Sequence, residues 1–318
     1  MKNPHLLALS FALALSLLAV PAGAALTAYT PDANTRYLYH FDEAAGSSVA
    51  ANAGTTGFNA ISYNGNIYAG DGVAQPTVGT VLGANGYTGF GNAANISANN
   101  LGLGVDRDSS GGWVMGDNSP VGPDQFPDHS TVFGTLNVFT LEAMINLPTL
   151  TGGNRHIVST DTNSGTAADR GFQFRINTTG NLEFHFIGGT GGALLVPVPT
   201  TGENAFVANE WFHVALSYDG TNAQFYWTAV DPARTAASPL GAATARGVDV
   251  NDDMLLVLGN EGRATGAPAS SEGLQGLMDE VRISSMVRGT NDFIFVPEPS
   301  TAVLGALGML GFLRRRRN

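Results

Sequence analysis

The sequence contains no cysteine and only one lysine, Lys2, among its 318 residues. A chain without cysteine folds without disulfides and has neither a thiol nucleophile nor a thiolate metal ligand. Charged residues make up only 13% of the chain whereas glycine occurs 41 times, which favours short strands and tight turns over helices. Residues 25–296 hold 10 arginines against 25 acidic residues, a formal charge of about −15. This acidity argues against nucleic acid and anionic lipid as partners, because both require a basic face.

The first 24 residues have the composition of an export signal. Lys2 is followed by an apolar run over 6–20 and then by Ala22-Gly23-Ala24, which fits an A-x-A cleavage pattern. This order is that of a secretory signal peptide, and the apolar run is short for a membrane-spanning helix. We therefore predict that residues 1–24 are removed and that 25–35 form a lead-in to the folded domain.

Residues 296–318 form a second signal. Val296-Pro297-Glu298-Pro299-Ser300 precedes a short apolar stretch at 301–313, and four arginines close it: Arg314, Arg315, Arg316 and Arg317. The stretch is shorter than the roughly 20 residues of a comfortable span, and arginines after it favour the cytoplasmic side. This order resembles the PEP-CTERM sorting signal of bacteria that make exopolysaccharide. The resemblance implies that an exosortase-type enzyme recognises Pro297, Glu298 and Pro299. It also implies transient anchoring in the inner membrane and delivery to the cell surface, outer membrane or matrix.

Between the two signals the hydrophobic pattern is that of β-strands. Apolar and polar residues alternate along 37–42, 139–147, 172–176 and 182–186, and more strands are predicted at 211–218, 224–230, 254–258 and 277–283. Thr179-Gly180-Asn181 separates two alternating runs and predicts a β-hairpin. We expect one all-β domain over 36–295, built as a sandwich of two antiparallel sheets.

Four segments of this domain carry a family resemblance. Residues 39–46 read YHFDEAAG, 139–145 read FTLEAMI, 210–220 read EWFHVALSYDG and 276–283 read GLMDEVRI. In this order they resemble the laminin-G-like, concanavalin A-like lectin/glucanase domains, with Met144 where tryptophan is usual. The resemblance implies a jelly-roll sandwich whose first and last strands lie close together, and it offers calcium as a partner.

The alternation of apolar and polar residues makes a specific prediction about the environment of Asp279. Uninterrupted alternation places Asp279 on the apolar face with Val281, and it leaves Glu280 and Arg282 to pair on the opposite surface. A carboxylate on an apolar face costs several kcal/mol unless it is paired or bound to a metal ion. Two interpretations stay open: a structural carboxylate held by backbone N–H groups or an arginine, and a calcium ligand with Asp42 as co-ligand.

Residues 98–137 form a long segment with little hydrophobic alternation. Long loops in compact domains are usually functional or disordered. This segment contains Trp113 together with Asp106 and Asp108, and an acidic surface loop and a ligand-binding rim are both compatible with that composition. Sugar recognition combines a flat aromatic face with acceptors for hydroxyl protons, so these three residues are candidate ligand contacts.

The sequence has no recognised catalytic motif. The E-x-D-x-x-E pattern of laminarinase-like relatives, the G-x-S-x-G elbow, H-E-x-x-H and the P-loop are all absent. We therefore expect an exported, non-catalytic module for glycan binding or adhesion, with extracellular polysaccharide as partner and no cofactor apart from calcium. A structural matrix component without a discrete ligand is the alternative, and a glycoside hydrolase with an unrecognised site is the third interpretation.

Overall fold

The computed structural model describes residues 26–64, 77–105, 138–160, 172–186, 192–247, 256–261 and 272–295. In these ranges the chain forms 17 strands joined by turns. They are β1 Thr35–Tyr39, β2 Val49–Ala50, β3 Ala60–Asn64, β4 Thr77–Val78, β5 Ala84–Asn85, β6 Asn92–Ile96, β7 Leu101–Val105, β8 Phe139–Asn146, β9 Arg155–Ser159, β10 Phe172–Ile176, β11 Asn181–Phe186, β12 Leu194–Pro197, β13 Trp211–Tyr218, β14 Asn222–Ala229, β15 Pro239–Ala245, β16 Val257–Leu258 and β17 Gly276–Ser284. Within the same ranges no helix is long and apolar enough to cross a membrane.

Two antiparallel sheets contain these strands, which confirms the predicted all-β sandwich. The first sheet has eight strands in the order β15-β14-β13-β8-β17-β6-β5, with β1 paired to β17. The second has nine strands in the order β12-β11-β10-β9-β16-β7-β3-β2, with β4 paired to β3. The antiparallel pairing of β1 with β17, in which Tyr39 lies opposite Val281, confirms that the first and last strands are neighbours.

The main core lies between the sheets, where aromatic rings from both sides meet. Phe139 of the eight-stranded sheet stacks on Phe172 of the nine-stranded sheet with ring centroids 6.4 Å apart, and Phe174 and Phe225 meet at 6.1 Å. Such pairs add roughly 0.5–1.5 kcal/mol to the stabilisation that burial itself provides. Trp227 is also a core residue and is 1% exposed.

The predicted hairpin is β10 and β11, with Phe172 opposite Phe186. Its turn is fixed by Asn177, whose Oδ1 accepts hydrogen bonds from the backbone N–H groups of Thr179 at 3.1 Å and Asn181 at 3.0 Å. Gly180 adopts a φ of +80°, a conformation that glycine reaches without steric cost.

The expectation of a loop from residue 98 onward is wrong at its beginning, because Leu101–Val105 is strand β7, between β16 and β3.

A bulge in β17 overturns the predicted environment of Asp279. The register shifts between Asp279 and Arg282, and Glu280 has a φ of +47°. Asp279 consequently lies opposite Met144 and Arg282 opposite Glu142, on the outer side of the sheet rather than on the core side. The bulge adds one residue to the strand and so reverses the alternation that follows it.

A second apolar cluster covers this outer side of the eight-stranded sheet, and we call it the outer cluster. Its buried members come from the sheet, from two of its connecting turns and from the segments before β1 and after β17; they are Tyr29, Leu38, Phe90, Met144, Ala215, Tyr226, Ala237, Phe293, Ile294 and Phe295. Glu280 and Arg282 are therefore buried, with exposures of 0% and 4%, and the predicted surface pair between them is wrong. Arg282 instead donates from Nε to Glu142 Oε1 at 2.6 Å.

Candidate functional site

Asp42 and Asp279, the two predicted calcium ligands, are brought together at the turn between β5 and β6. Asp42 follows β1, and its Oδ1 accepts a hydrogen bond from the backbone N–H of Asn92 at 2.9 Å. Asp279 comes from β17, and its Oδ2 lies beside Gly86 in the same turn. The two carboxylates are close enough for the charge of Asp42 to raise the pKa of Asp279.

Gly86 leaves a small cradle of oxygen atoms open in this turn. The position that a Cβ atom would take on Gly86 lies 2.9 Å from each of three oxygens, namely Asp279 Oδ2 and the carbonyl oxygens of Gly91 and Asn92. Calcium binds only oxygen ligands, at about 2.3–2.6 Å and in flexible geometry. The three groups are therefore donors of the kind that a hard divalent cation binds.

The electrostatics of Asp279 point the same way. Burial raises its pKa to about 9, the charges of Glu280 and Asp42 raise it as well, and the backbone N–H of Glu280 opposes them. That N–H donates to Asp279 Oδ1 at 2.8 Å, whereas Oδ2 is buried without a hydrogen-bond partner among the described residues. The structural-carboxylate interpretation thus accounts for one oxygen of Asp279, and a cation in the cradle would satisfy the other.

A different arrangement of polar side chains lies on the outer face of the nine-stranded sheet. Alternation along β10 and β11 turns phenylalanines into the core and polar residues outward. The registers of β9, β10 and β11 align these residues in two rows, which we call the polar ladder: His156–Arg175–Glu183 and Ser159–Gln173–His185.

Arg175 organises the polar ladder. Its Nη2 donates to Glu183 Oε1 at 2.9 Å and its Nη1 donates to Glu272 Oε2 at 3.1 Å, while His156 Nε2 lies 2.7 Å from the same Glu272 oxygen. The side chains of Arg175, Glu272 and His185 keep exposures of 14%, 16% and 34%. The other ladder residues, His156, Ser159, Gln173 and Glu183, are buried, so a ligand can reach the ladder only at Arg175, His185 and the neighbouring Glu272.

The ladder is better suited to hydrogen bonding than to metal binding. One ligand atom each from His156, Glu261 and Glu272 lies within 4.8 Å of the others, a spacing that a metal ion could use. The guanidinium of Arg175, however, already places positive charge 3.1 Å from Glu272. Burial alone would raise the pKa of Glu272, but hydrogen bonds from His156 and Asn154 and the charge of Arg175 lower it to about 2. Glu272 is therefore an ionised acceptor.

A third polar group is closed to solvent beneath the outer cluster. Glu142 accepts from Arg282 Nε at 2.6 Å and from the Tyr29 hydroxyl at 2.5 Å, and His213 Nε2 lies 3.5 Å away. Burial alone would raise the pKa of Glu142, but Arg282 and His213 hold it below its usual range. No side chain of this group is more than 7% exposed, so it stabilises the fold and does not contact a ligand.

The remaining predicted site residues lie outside the described ranges. These are Trp113, Asp106 and Asp108 of the long loop, and Pro297, Glu298, Pro299 and Arg314 to Arg317 of the sorting signal.

The sequence analysis did not predict the polar ladder. The outward positions of the predicted hairpin already showed Gln173, Arg175, Glu183 and His185, but nothing in the sequence indicated that His156 and Glu272 would join them.

Several solved structures are similar to this chain at low identity. Domain 4 of a GH43 extracellular arabinanase from Geobacillus stearothermophilus, in complex with arabinotriose, is 15% identical with a TM-score of 0.45, and the match covers 82% of this chain and 98% of that domain. A sialidase from Trypanosoma rangeli is also 15% identical with a TM-score of 0.45, over 84% of this chain. This chain spans about a third (32%) of that sialidase. No curated protein matches the sequence.

Two family models match the chain and cover different parts of it. Residues 295–317 match the PEP-CTERM protein-sorting motif, which marks an exported protein sorted to the cell surface and implies processing by exosortase. Residues 124–292 match the model for the concanavalin A-like lectin/glucanases superfamily, Laminin_G_3. Both resemblances in the sequence are thereby confirmed. The chain belongs to the concanavalin A-like lectin/glucanase superfamily and carries a PEP-CTERM sorting motif.

Proposed function

We propose that this protein is a non-catalytic glycan-binding module of the cell surface or extracellular matrix, and that it binds polysaccharide on the polar ladder. The observation that carries the proposal is the placement of Arg175 between two carboxylates, Glu183 and Glu272, on the outer face of a rigid sheet. Guanidinium groups donate to hydroxyl oxygens and carboxylates accept hydroxyl protons, which is the pairing that sugars require. Side chains held in place before binding lose little conformational entropy when a ligand arrives.

The charge of the ladder favours neutral or amino sugars over uronic acids. Glu183 and Glu272 both pair with Arg175, and one ligand atom of Glu261 lies within 4.8 Å of one of Glu272, in a chain whose predicted mature part carries a formal charge of about −15. A polyanionic glycan would meet repulsion both at the ladder and over the rest of the surface.

The state of the carboxylates supports binding rather than hydrolysis. A glycosidase needs a general acid whose pKa is raised, so that it is protonated near neutral pH. In the ladder, hydrogen bonds and the neighbouring cation instead lower the pKa of Glu272. The same Arg175 also pairs with Glu183 at 2.9 Å.

A panel of neutral, amino-sugar and uronate polysaccharides tests the proposal. We expect Arg175→Gln to weaken binding about 10-fold or more, since hydrogen bonds to charged groups contribute roughly 1.5–3 kcal/mol. His185→Ala, at a more exposed position, should weaken binding without loss of folding. Arg234→Gln is the matched control, because Arg234 also pairs with a glutamate, Glu203 at 2.7 Å, outside the ladder. Absence of binding across the panel would instead favour a structural matrix component, and turnover of any member would favour a hydrolase.

We also propose that Asp42 and Asp279 hold a structural calcium ion, with the carbonyl oxygens of Gly91 and Asn92 completing the protein ligands. The support is the cradle at Gly86 and the buried Oδ2 of Asp279. An ion there would join the end of β1, the β5–β6 turn and β17. Its contribution is to stability, because it ties together segments that are distant in sequence.

A further inference from the structure

The segments at both ends of the folded domain lie on one face of the sandwich. Before β1, Leu26 packs against the outer cluster, and the backbone N–H of Tyr29 donates to Glu280 Oε2 at 2.8 Å. After β17, Phe293, Ile294 and Phe295 are buried in the same cluster. Both segments therefore cover the outer face of the eight-stranded sheet.

The two segments also meet at a single side chain, His213. The Tyr29 hydroxyl lies 3.0 Å from His213 Nε2. The ring of Phe293 lies 4.8 Å from the His213 ring, and that of Phe295 lies 5.5 Å from it, centroid to centroid. The chain is thus fastened to the sheet up to Phe295, which is 1% exposed.

Chain length then limits how far the sorting signal and the predicted cleavage site can lie from this face. A fully extended chain spans at most about 3.6 Å per residue, so Pro297 is within ~7 Å of Phe295 and Pro299 within ~14 Å. The apolar stretch that begins at residue 301 is within about 22 Å by the same limit. At the other end, Ala24 of the predicted cleavage site is two residues from Leu26 and lies within ~7 Å of it.

We infer that the outer face of the eight-stranded sheet is the face that the protein turns towards the membrane while the sorting segment is still attached, and that the polar ladder points away from it. The two outer faces of a sandwich are on opposite sides of its core. A domain of about 260 residues has a radius of gyration of about 18 Å and hence a diameter of roughly 45 Å. The tether, the stretch from Phe295 to residue 301, spans at most about 22 Å, which is less than the width of the domain. It therefore cannot reach around the domain, and the opposite face cannot be turned to the bilayer.

This orientation is set by the tether and not by adhesion to lipid. The acidic chain is repelled by anionic headgroups, so the domain has no electrostatic reason to lie on the bilayer in another pose. The surface that a membrane-embedded processing enzyme meets is consequently the one around Phe293–Phe295. The inference does not depend on which ligand the polar ladder binds.

The absence of cysteine allows a direct test with single labelled sites. Val287, which is 40% exposed, lies on the segment after β17, whereas Leu195, which is 48% exposed, lies opposite Glu183 on the ladder face. The predicted mature chain, residues 25–318, carrying either Val287→Cys or Leu195→Cys with a fluorophore, is reconstituted into vesicles that contain a headgroup-labelled nitroxide lipid. We expect quenching at position 287 to exceed that at 195 several-fold.

A linker variant supplies the control. Inserting 40 Gly/Ser residues between Phe295 and Val296 adds a coil of about 35 Å, which should make the two positions equally quenched. Equal quenching without the linker, stronger quenching at position 195, or failure of the mature chain to associate with vesicles would each overturn the inference. Circular dichroism of both variants verifies that the sandwich is folded.

Discussion

Arg282 donates from Nε to Glu142 Oε1 over 2.6 Å, between two strands that are 140 positions apart in the sequence. Both side chains are buried, and Tyr29 places its ring 3.7 Å from the Arg282 guanidinium while its hydroxyl donates to Glu142. The pair, Arg282 and Glu142, thus fastens the segment before β1 to the sheet.

We expect Glu142→Gln to lower the free energy of unfolding by about 3–5 kcal/mol, because it leaves the Arg282 charge buried without its counter-charge. Urea denaturation measures the loss. Glu203→Gln is the control, since Glu203 pairs with Arg234 at the surface, where such pairs contribute about 0–1 kcal/mol. A loss below 1 kcal/mol for Glu142→Gln would show that the network does not stabilise the fold.

The calcium proposal predicts that the order of stability of the wild type and Asp279→Asn depends on calcium. In excess calcium the wild type should melt at a higher temperature than Asp279→Asn, because calcium at 100 times Kd stabilises the wild type by about 2.7 kcal/mol over its calcium-free form. With chelator the difference should vanish or reverse, because asparagine removes a buried carboxylate that has no cation. Gly86→Ala, which places a methyl group in the cradle, should abolish the calcium response in the same way. A melting temperature that ignores both calcium and chelator contradicts the proposal.

The lowered pKa of Glu272 predicts how acid affects the polar ladder. Because the folded-state pKa of about 2 lies below the ordinary value of 4.5, the stabilisation is complete above pH 4.5 and is lost as the pH falls towards 2. We expect Glu272→Gln to be less stable than the wild type at pH 7 and equal to it near pH 2. Thermal melts of both proteins across this range measure the difference. A gap that stays constant with pH would mean that the glutamate is not engaged by its neighbours.

The long loop offers a prediction that the sequence alone supports. We expect Trp113→Ala to weaken polysaccharide binding while the melting temperature stays nearly unchanged, because an exposed loop residue adds little to a core. Calorimetric titration and a thermal melt on the same sample separate the two effects. The opposite result, a large loss of stability with intact binding, would make Trp113 a core residue.

The sorting motif predicts where a defective variant accumulates. Replacing Glu298 together with Arg314 to Arg317 should leave the protein in the inner membrane, because the processing enzyme loses its recognition residues. Fractionation of cells with an antibody to the sandwich domain measures the distribution. Normal delivery of that variant to the surface would contradict a role for the motif.

Strands with bulky alternating residues could be predicted from the sequence, and strands built from small residues could not. Phe172–Ile176 alternates large and polar side chains and was predicted as β10. By contrast, β6 reads Asn-Ala-Ala-Asn-Ile and β15 consists largely of glycine and alanine, so neither shows a hydrophobic period. Such strands form because the neighbouring strands supply the hydrogen bonds and the packing.

The candidate calcium site and the polar ladder could be predicted only in those parts that depend on local sequence patterns. The pairing of Asp42 with Asp279 follows from family motifs, but the side of the sheet on which they meet depends on the bulge at Glu280, which no single-sequence pattern reveals. In the same way, the outward positions of the β10–β11 hairpin were visible in its alternation. The arrival of His156 and Glu272 beside Arg175 is long-range, and it requires the register of strands that are far apart in sequence.

The position of β17 determines when the eight-stranded sheet can form. This strand lies between β8 on one side and β6 and β1 on the other, so the eight-stranded sheet cannot close until residue 284 is available. Only residues 285–295 separate that point from the sorting signal, a length that ribosomes add in roughly 0.5–2 s. Sandwiches dominated by non-local pairings fold over milliseconds to seconds. The last strand that the eight-stranded sheet needs is therefore also the strand of the folded domain nearest in sequence to the sorting signal.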